Sequence, residues 1–162
     1  LLATPHGVTD LLDALGQRAA KAAGERLRAD DIAGLKVRER VRAGVKGWLA
    51  ALQPHKAAVK RAGGTPANLF TGPKGLWAAS DAIWSALGDK STDFNWYTKR
   101  TTLSAVLGST LAAWIGTDDE AEVDAFLDRR IENVMQFEKL KGQVKDAMAK
   151  APNPMDFFGQ RK

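Results

Sequence analysis

The amino-acid sequence predicts an all-α fold, and three observations carry that prediction. Apolar residues recur every three or four positions in five separate stretches, which is the period of an amphipathic helix. Sustained alternation of apolar and polar residues, which would indicate half-buried strands, is found nowhere along the chain. Proline or glycine stands just past three of the stretches, where helices commonly end.

The five predicted helices are defined by where each apolar pattern starts and stops. The patterns extend over residues 8–27, 37–52, 76–87, 96–114 and 123–135, and the last can be followed as far as Met148. We therefore predict one helical domain over residues 1–150. Residues 151–162 contain two prolines and are predicted to form a flexible C-terminal tail.

Residues that favour helix ends agree with these boundaries. Pro54 lies just past the second helix, and Gly88 and Gly116 follow the third and fourth, where a left-handed C-terminal cap favours glycine. Thr117 and Glu120 have the spacing of a capping box, which predicts that their side chains satisfy free amides at the start of the last helix. A loop before the third helix is predicted by Gly63, Gly64, Pro66, Gly72 and Pro73.

Length and composition fit a single globular domain and exclude several kinds of site. The chain has 162 residues, of which 44% are hydrophobic, and its formal net charge is +5. It contains no cysteine, which excludes disulfides, thiolate metal sites and cysteine nucleophiles. Its two histidines are too few for a multi-histidine metal site. No apolar run approaches the roughly 20 residues of a transmembrane helix.

Two clusters of charged residues have simple structural interpretations. The acidic run from Asp118 to Asp124 lies at a predicted helix N-terminus, where the helix dipole favours negative charge, and we assign it no catalytic role. A basic stripe on the second helix could meet phosphates of nucleic acid or anionic lipid, but a solvated helix face is the favoured interpretation. The stripe consists of Lys36, Arg38, Arg40, Arg42 and Lys46.

The tryptophans leave two interpretations open. The chain has five of them, and Trp77 and Trp84 are seven residues apart, which places them on one face of the third helix. Such a face either packs into the core or walls an apolar pocket between helices, the usual site for a hydrophobic ligand in a helical domain. The candidate lipid-binding residues on this face and on the fourth helix are Leu76, Trp77, Ser80, Ile83, Trp84, Leu103 and Leu107.

The segment 91–100 has the composition of a protein-interaction surface. It follows a Gly-Asp turn and is predicted to open the fourth helix, with Asp93 among the candidate N-cap residues. Trp96 and Tyr97 are adjacent, so they point about 100 degrees apart on a helix and cannot both face one core. We therefore expect at least one of them to be exposed, beside acidic and amide side chains, as in an interface hot spot.

Motifs of catalysis are not recognisable in this sequence. It contains no Ser/His/Asp order, no HExxH, no glycine-rich phosphate loop and no dinucleotide fingerprint. His55 follows Pro54 and has no acidic partner close by in sequence. We therefore predict a protein that is not an enzyme, with no catalytic residue, no metal ligand and no cofactor.

The segment Gly-Asp-Lys-Ser-Thr-Asp-Phe-Asn-Trp-Tyr-Thr-Lys-Arg, residues 88–100, closely resembles the signature of the ubiquinone (coenzyme Q) biosynthesis accessory protein family, the ninth Coq protein. Flanking phrases resemble the same family at 36–41, 52–59, 81–84 and 125–131, so that the resemblance covers about residues 30–140. It implies a homodimeric helical fold like the ligand-binding domain of TetR regulators. The helix-turn-helix unit of those regulators is expected to be absent here, because residues 4–8 resemble only its end.

The resemblance also implies a function. Members of the family are not known as enzymes, and they bind lipid in an apolar pocket, here expected to be an isoprenoid, a ubiquinone precursor or a phospholipid. They are thought to present the lipid to the di-iron demethoxyubiquinone hydroxylase, through a surface that maps onto Ile83, Asp93, Trp96 and Tyr97.

The expected location is peripheral, on the cytoplasmic side of a bacterial inner membrane or the matrix side of a mitochondrial one. Nucleic acid is not expected as a partner of this chain. A TetR-type transcriptional regulator seen without its DNA-binding helices is the alternative.

Overall fold

The computed structural model describes residues 7–29, 31–63 and 72–151. Within these ranges the chain forms six α-helices and one 3-10 turn and contains no strand, which confirms the predicted all-α class. The helices are α1 (Val8–Ala29), α2 (Val37–Leu52), α3 (Lys56–Gly63), α4 (Gly72–Ala86), α5 (Asp93–Gly116) and α6 (Glu120–Lys150), and the 3-10 turn Gln53–His55 joins α2 to α3.

The core lies where α1, α2, α4 and α5 meet. Helix α1 packs most extensively against α4 and α2, and α4 packs against α5. The side chains that fill the space between them are at least 98% buried and come from all four helices; they include Leu27, Val45, Ile83 and Leu107. Because these residues occupy the apolar positions of the helical pattern, the periodicity of the sequence predicts the core as well as the helices.

Close packing of α2 against α1 and α4 depends on Gly44. A Cβ atom placed at this position would lie 2.9 Å from Cγ2 of Ile83 and 3.1 Å from Cδ1 of Leu27. Both neighbours are fully buried, so neither can move into solvent to make room. The backbone of α2 therefore approaches its neighbours at a distance that only glycine allows.

We expect Gly44→Ala to lower the free energy of unfolding by about 1–3 kcal/mol, because the added methyl overpacks a closed core. The measurement is urea denaturation followed by circular dichroism. Gly142→Ala is the matched control, since a Cβ there has no neighbour within 4 Å on a helix. It should raise the free energy of unfolding by about 0.5–1 kcal/mol through helix propensity alone. Equal effects of the two substitutions would contradict the close approach at Gly44.

Several local predictions differ from the structure. Residues 56–62, which no pattern assigned, and Gly63, predicted in a loop, form α3, a short helix with no buried residue. Gly64 and Pro66 of the predicted loop lie outside the described residues. Gly72 and Pro73, predicted in a loop, begin α4, and proline is accepted there because the first helical turn needs no amide donor. Gly116 was predicted to be a left-handed cap, but it is the last residue of α5 and has no positive φ. The chain leaves this helix through Thr117, which is extended.

The capping box predicted for the last helix was wrong by two residues. Asp119 is the N-cap of α6, and its Oδ1 accepts hydrogen bonds from the amides of Ala121 at 2.9 Å and Glu122 at 3.4 Å. The Thr117 hydroxyl instead accepts from the amide of Asp119 at 3.1 Å. A carboxylate reaches the free amides of the first turn as well as a hydroxyl does, so Asp119 takes the role that the pattern gave to Thr117.

The chain divides into one compact unit that ends at Ile131 and a second that begins at Glu132. The described part of the second unit is the last portion of α6 and Ala151. Large apolar side chains recur along it at helical spacing and are half or more exposed; they are Met135, Phe137, Leu140, Val144 and Met148. Residues 152–162 of the predicted tail lie outside the described residues.

Two further predictions concern the ends of the chain and the membrane. Residues 4–6, which resemble the end of a helix-turn-helix unit, lie outside the described residues, and the TetR-like arrangement of the helices stays a prediction. Among the helices that the structure describes, none combines the length and the apolar character needed to cross a membrane.

Candidate functional site

The candidate site begins at a turn centred on Gly88, between α4 and α5. Helix α4 ends in a Schellman arrangement, in which the amide of Asp89 donates to the carbonyl of Trp84 at 3.0 Å and the amide of Gly88 to that of Ser85 at 3.1 Å. Gly88 has φ +74°, a conformation that side chains with a Cβ disfavour, which confirms the predicted left-handed cap. The turn directs the chain away from α4 and places Asp89 at the junction with α5.

The Asp89 carboxylate is the centre of a buried polar network. Its side chain is 3% exposed and accepts hydrogen bonds from Ser91 Oγ at 2.6 Å, Lys99 Nζ at 2.7 Å and Arg100 Nη1 at 3.1 Å. Burial raises the pKa of Asp89, but the hydrogen bonds from Lys99, Ser91 and Arg100 outweigh it and hold the pKa well below its ordinary range. The group is therefore ionised at neutral pH and ties the turn to the first two turns of α5.

Arg100 extends this network to α4 and to an aromatic ring. Its Nε donates to Asp81 Oδ1 at 2.7 Å, and its side chain is 3% exposed. The guanidinium carbon lies 4.0 Å from the centroid of the Trp96 ring, which is cation–π geometry. The carbonyl of Arg100 accepts from Ser80 Oγ at 2.8 Å. Arg100 thus joins α4, the turn and the Trp96 ring in one rigid unit.

Three aromatic rings meet on the surface above this network. The ring centroids of Trp77 and Trp96 lie 5.7 Å apart, those of Trp77 and Tyr97 5.8 Å, and those of Trp96 and Tyr97 5.1 Å. Trp96 is half-buried, whereas Tyr97 is 60% exposed, as expected from their adjacency. Phe94, three residues before Tyr97 on α5, is 77% exposed. We call Trp77, Phe94, Trp96 and Tyr97 the aromatic surface.

Asp93 lies at the start of α5 beside the aromatic surface and has an unusual backbone conformation. Its φ is +57°, in the left-handed region where residues other than glycine are uncommon and where aspartate and asparagine are the most tolerated. Its side chain is exposed. Backbone strain of this kind persists where the surrounding structure holds it, and here Asp89 binds Ser91 before this position and Lys99 after it.

A small apolar cavity lies between α1, α2, α3, α4 and α5. Its volume is about 180 Å³. Its wall is made by aliphatic residues, glycines, Trp48 and the half-buried Asp13; the aliphatic members are Leu12, Leu15, Leu52, Val59, Ala62, Leu76, Leu111 and Ile115. Two glycines in its wall lie where α1 and α4 approach each other: a Cβ at Gly16 would lie 3.7 Å from the Cα of Gly75.

The structure does not bring the seven candidate lipid-binding residues to one cavity. Of the seven, Leu76 lines the apolar cavity. Trp77 belongs to the aromatic surface, Ser80 is bonded to the Arg100 carbonyl, and Trp84 donates from Nε1 to the carbonyl of Lys99 at 3.2 Å. The other three are buried at helix–helix contacts and are 3% exposed or less; they are Ile83, Leu103 and Leu107.

The four candidate partner-binding residues are likewise divided. Asp93 and Tyr97 are exposed, and Trp96 is half-buried beneath Tyr97. Ile83 is fully buried against Gly44, so it belongs to the core and not to the exposed surface. Sequence reasoning missed Phe94, although it is the most exposed aromatic residue described in the segment and its spacing to Tyr97 places both on one face.

The basic stripe of α2 is engaged within the protein. Arg42 pairs with Asp128 at 2.6 Å and Asp124 at 3.2 Å, and Lys46 pairs with Asp124 at 2.6 Å. These pairs span a groove of about 910 Å³ between α2 and the start of α6. Arg40 donates to the backbone carbonyls of Leu35 and Ala33, at 2.8 Å and 2.7 Å. Much of the stripe therefore holds helices together rather than offering charge to phosphates.

The described residues contain no cluster of three or more histidine, aspartate or glutamate side chains that could hold a metal ion. The same residues do present an exposed aromatic surface and an apolar cavity.

Known proteins resemble this chain in the same region. A COQ9 family profile matches residues 70–138, which include all of α4 and α5, with the turn and the aromatic surface, and the first part of α6. The probable ubiquinone biosynthesis protein coq9 of Dictyostelium discoideum is 26% identical over 122 residues, 72% of this chain and 40% of that relative. Ubiquinone biosynthesis protein COQ9 is 34% identical in Rattus norvegicus and 33% in Homo sapiens, each over 82 residues.

The matches confirm the resemblance to this family that was predicted from the sequence. In the rat and human proteins the matched region is 49% of this chain and 26% of the relative. The chain thus spans less than half the length of these relatives. Their names place them in mitochondria.

Proposed function

We propose that this chain is a non-catalytic accessory protein of ubiquinone biosynthesis that binds an isoprenoid or quinone lipid and presents it to the demethoxyubiquinone hydroxylase. The family profile over residues 70–138 carries the proposal, because it covers the segment that forms the aromatic surface. The names of the relatives support the pathway. The rigid exposed aromatic rings support a role in protein recognition, since such residues dominate binding hot spots.

The apolar cavity is the proposed lipid site. Its volume of about 180 Å³ is below the roughly 300–1,000 Å³ of sites that enclose a whole small molecule. The cavity would therefore hold one end of a longer lipid. Its wall is almost entirely apolar, and burying an isoprenoid end against it would contribute roughly 25 cal/mol for each Å² of apolar surface removed from water. The half-buried Asp13 at this site disfavours lipids with a negatively charged group.

We expect Gly75→Leu to reduce the lipid that copurifies with the protein at least tenfold, because the new side chain would occupy the cavity. A Cβ at Gly75 meets no atom within 4 Å, and leucine favours helix, so the fold should tolerate the change. The measurement is mass spectrometry of an organic extract from the purified protein. Gly142→Leu, also in open space on a helix and outside the cavity wall, is the control and should retain the lipid. An extract of the original protein that contains no isoprenoid, quinone or phospholipid would overturn the lipid site.

The aromatic surface is the proposed contact with the hydroxylase. Tyr97 and Phe94 offer exposed rings, Asp93 adds a negative charge, and Trp96 supports Tyr97 from below. Ile83 contributes by holding α4 in place rather than by touching the partner. The polar network around Asp89 keeps these groups in one arrangement before the partner arrives, which lowers the entropic cost of binding.

The proposal includes a homodimer located at a membrane surface, on the matrix side in a mitochondrion or the cytoplasmic side in a bacterium. The exposed apolar row on the second part of α6 supports self-association, because Phe137, Leu140, Val144 and Met148 follow the spacing of a helix-packing face. Lysines flank the row at 139, 141 and 145, which is the distribution of a helix that meets anionic lipid.

A further inference from the structure

The first part of α6 lies beside the open groove that separates it from α2. The groove has a volume of about 910 Å³. Of the 31 residues of α6, Val123 and Leu127 are the buried ones, and Val123 also lines the groove. Burial in this helix is therefore concentrated at two side chains. We call residues 120–131, the part of α6 that belongs to the first compact unit, the strap.

Ion pairs join the strap to α2 across the groove. Asp124 is the central acceptor, because its Oδ2 receives hydrogen bonds from Lys46 Nζ at 2.6 Å and from Arg42 Nη2 at 3.2 Å. One helical turn further on, Asp128 Oδ1 accepts from Arg42 Nε at 2.6 Å. Lys46 Nζ also lies 3.6 Å from Glu120 Oε1. The cations of these pairs come from α2 and the carboxylates from the strap, so the attraction acts between the two elements.

These ion pairs are accessible to water and therefore to salt. The side chains of Arg42 and Lys46 are partly exposed, and those of Asp128 and Glu120 are 55% and 86% exposed. Such pairs are individually weak and are screened by salt, since the Debye length falls from about 10 Å at 0.1 M to about 3 Å at 1 M. The core around Val45 is held by apolar contacts, which screening does not weaken.

We propose that the strap is a conformational gate, which the ion pairs hold closed along the groove and which opens locally as ionic strength rises while the core stays folded. Opening exposes Val123 to solvent and uncovers the opposite wall of the groove on α2, which includes Ala43 and Gly47. A charged partner that competes for Arg42 or Lys46 opens the strap in the same way as salt. Charge therefore sets how often the groove is accessible.

Thiol labelling measures this opening, because the chain contains no cysteine and an introduced one is a unique probe. Val123→Cys places the probe on the strap, and Val45→Cys places it at an equally buried valine of the core. Labelling by iodoacetamide, an uncharged reagent, is followed by mass spectrometry at about 0.05 M and about 1 M NaCl. The rate for Val123→Cys should rise about tenfold with salt, and that for Val45→Cys should not change. A salt response that is absent in Val123→Cys, or equal in both variants, would overturn the gate.

Asp124→Asn separates the ion pairs from other effects of salt. It removes the carboxylate that Arg42 and Lys46 share with little change of shape. Combined with Val123→Cys, it should raise the labelling rate at low salt about fivefold and weaken the response to salt. Glu122→Gln is the matched control, since it also removes one negative charge from the strap, but Glu122 is exposed and takes part in none of these ion pairs. Equal labelling of the two combined variants would contradict the role of Asp124.

Hydrogen exchange of the original protein provides a measurement that needs no variant. The amides of residues 124–131 should exchange about tenfold faster at high salt than at low salt, relative to the amides of residues 103–110 in the buried part of α5. This ratio cancels the effect of salt on the intrinsic exchange rate. A ratio that does not change with salt would overturn the proposal, whether or not the cysteine variants fold.

Discussion

Replacing Asp89 with asparagine is expected to lower the free energy of unfolding by about 3 kcal/mol. The carboxylate is 3% exposed and pairs with Arg100, which is equally buried, so its neutralisation leaves a buried guanidinium without one of its two carboxylate partners. Breaking a buried pair from one side typically costs about 3–5 kcal/mol, and the remaining bond to Asp81 places this site at the lower end. Urea denaturation at neutral pH measures the loss.

The same substitution should change how stability depends on pH. The pKa of Asp89 is lower in the folded protein than its ordinary value of 3.8, so the folded state binds a proton less readily than the unfolded state does. The stabilisation is therefore complete above the unfolded pKa and declines as the pH falls through the folded pKa. The difference in stability between the original protein and Asp89→Asn should be constant from pH 7 to pH 5 and should shrink below pH 4.

Asp81→Asn is the matched control for this experiment. Asp81 also accepts a hydrogen bond from Arg100, but its side chain is 46% exposed, so water can replace much of what is lost. We expect a loss of about 1 kcal/mol or less for Asp81→Asn. Equal losses for the two variants, or an Asp89→Asn protein as stable as the original, would show that the turn does not depend on the buried carboxylate.

The long helices were predictable from sequence because each buries one face, and the apolar residues of that face recur with the helical period. Short α3 was missed for the same reason, since none of its residues is buried and no apolar period marks it. Gly88 was identified as a left-handed cap because glycine is the residue that this conformation favours, whereas Gly116 shares the residue type but ends its helix in another way. Local patterns therefore located the elements more reliably than their ends.

The candidate site depended on contacts that no local pattern encodes. Asp89 reaches Lys99 and Arg100, ten and eleven residues ahead, and only the folded turn brings them together. The apolar cavity depends on where α1 crosses α4, at Gly16 and Gly75, and these glycines were not distinguishable by sequence from others inside helices. Adjacent residues on a helix cannot share one face, so the exposure of at least one of Trp96 and Tyr97 was predictable. The structure shows that the more exposed of the two is Tyr97.

Substitution of Tyr97 is the most direct test of the proposed hydroxylase contact, because its exposed ring packs against Trp96. We expect Tyr97→Ala to weaken the complex by about 2 kcal/mol, roughly 30-fold in dissociation constant, because an exposed ring on a fixed base has the character of a hot spot. Its 60% exposure means that truncation removes little from the core, so the melting temperature should hardly change. Surface plasmon resonance with the immobilised hydroxylase measures the affinity.

Control variants distinguish the loss of a contact with the hydroxylase from a loss of the fold. Trp96→Ala alone is ambiguous, since the ring also packs at 4.0 Å from the Arg100 guanidinium, and its removal should weaken both the fold and the complex. Leu11→Ala removes an apolar side chain of similar exposure, 63%, on α1 and should leave hydroxylase binding unchanged. If Tyr97→Ala binds as tightly as Leu11→Ala, the aromatic surface does not contact the hydroxylase, because a hot spot of this kind cannot lose an exposed ring without loss of affinity.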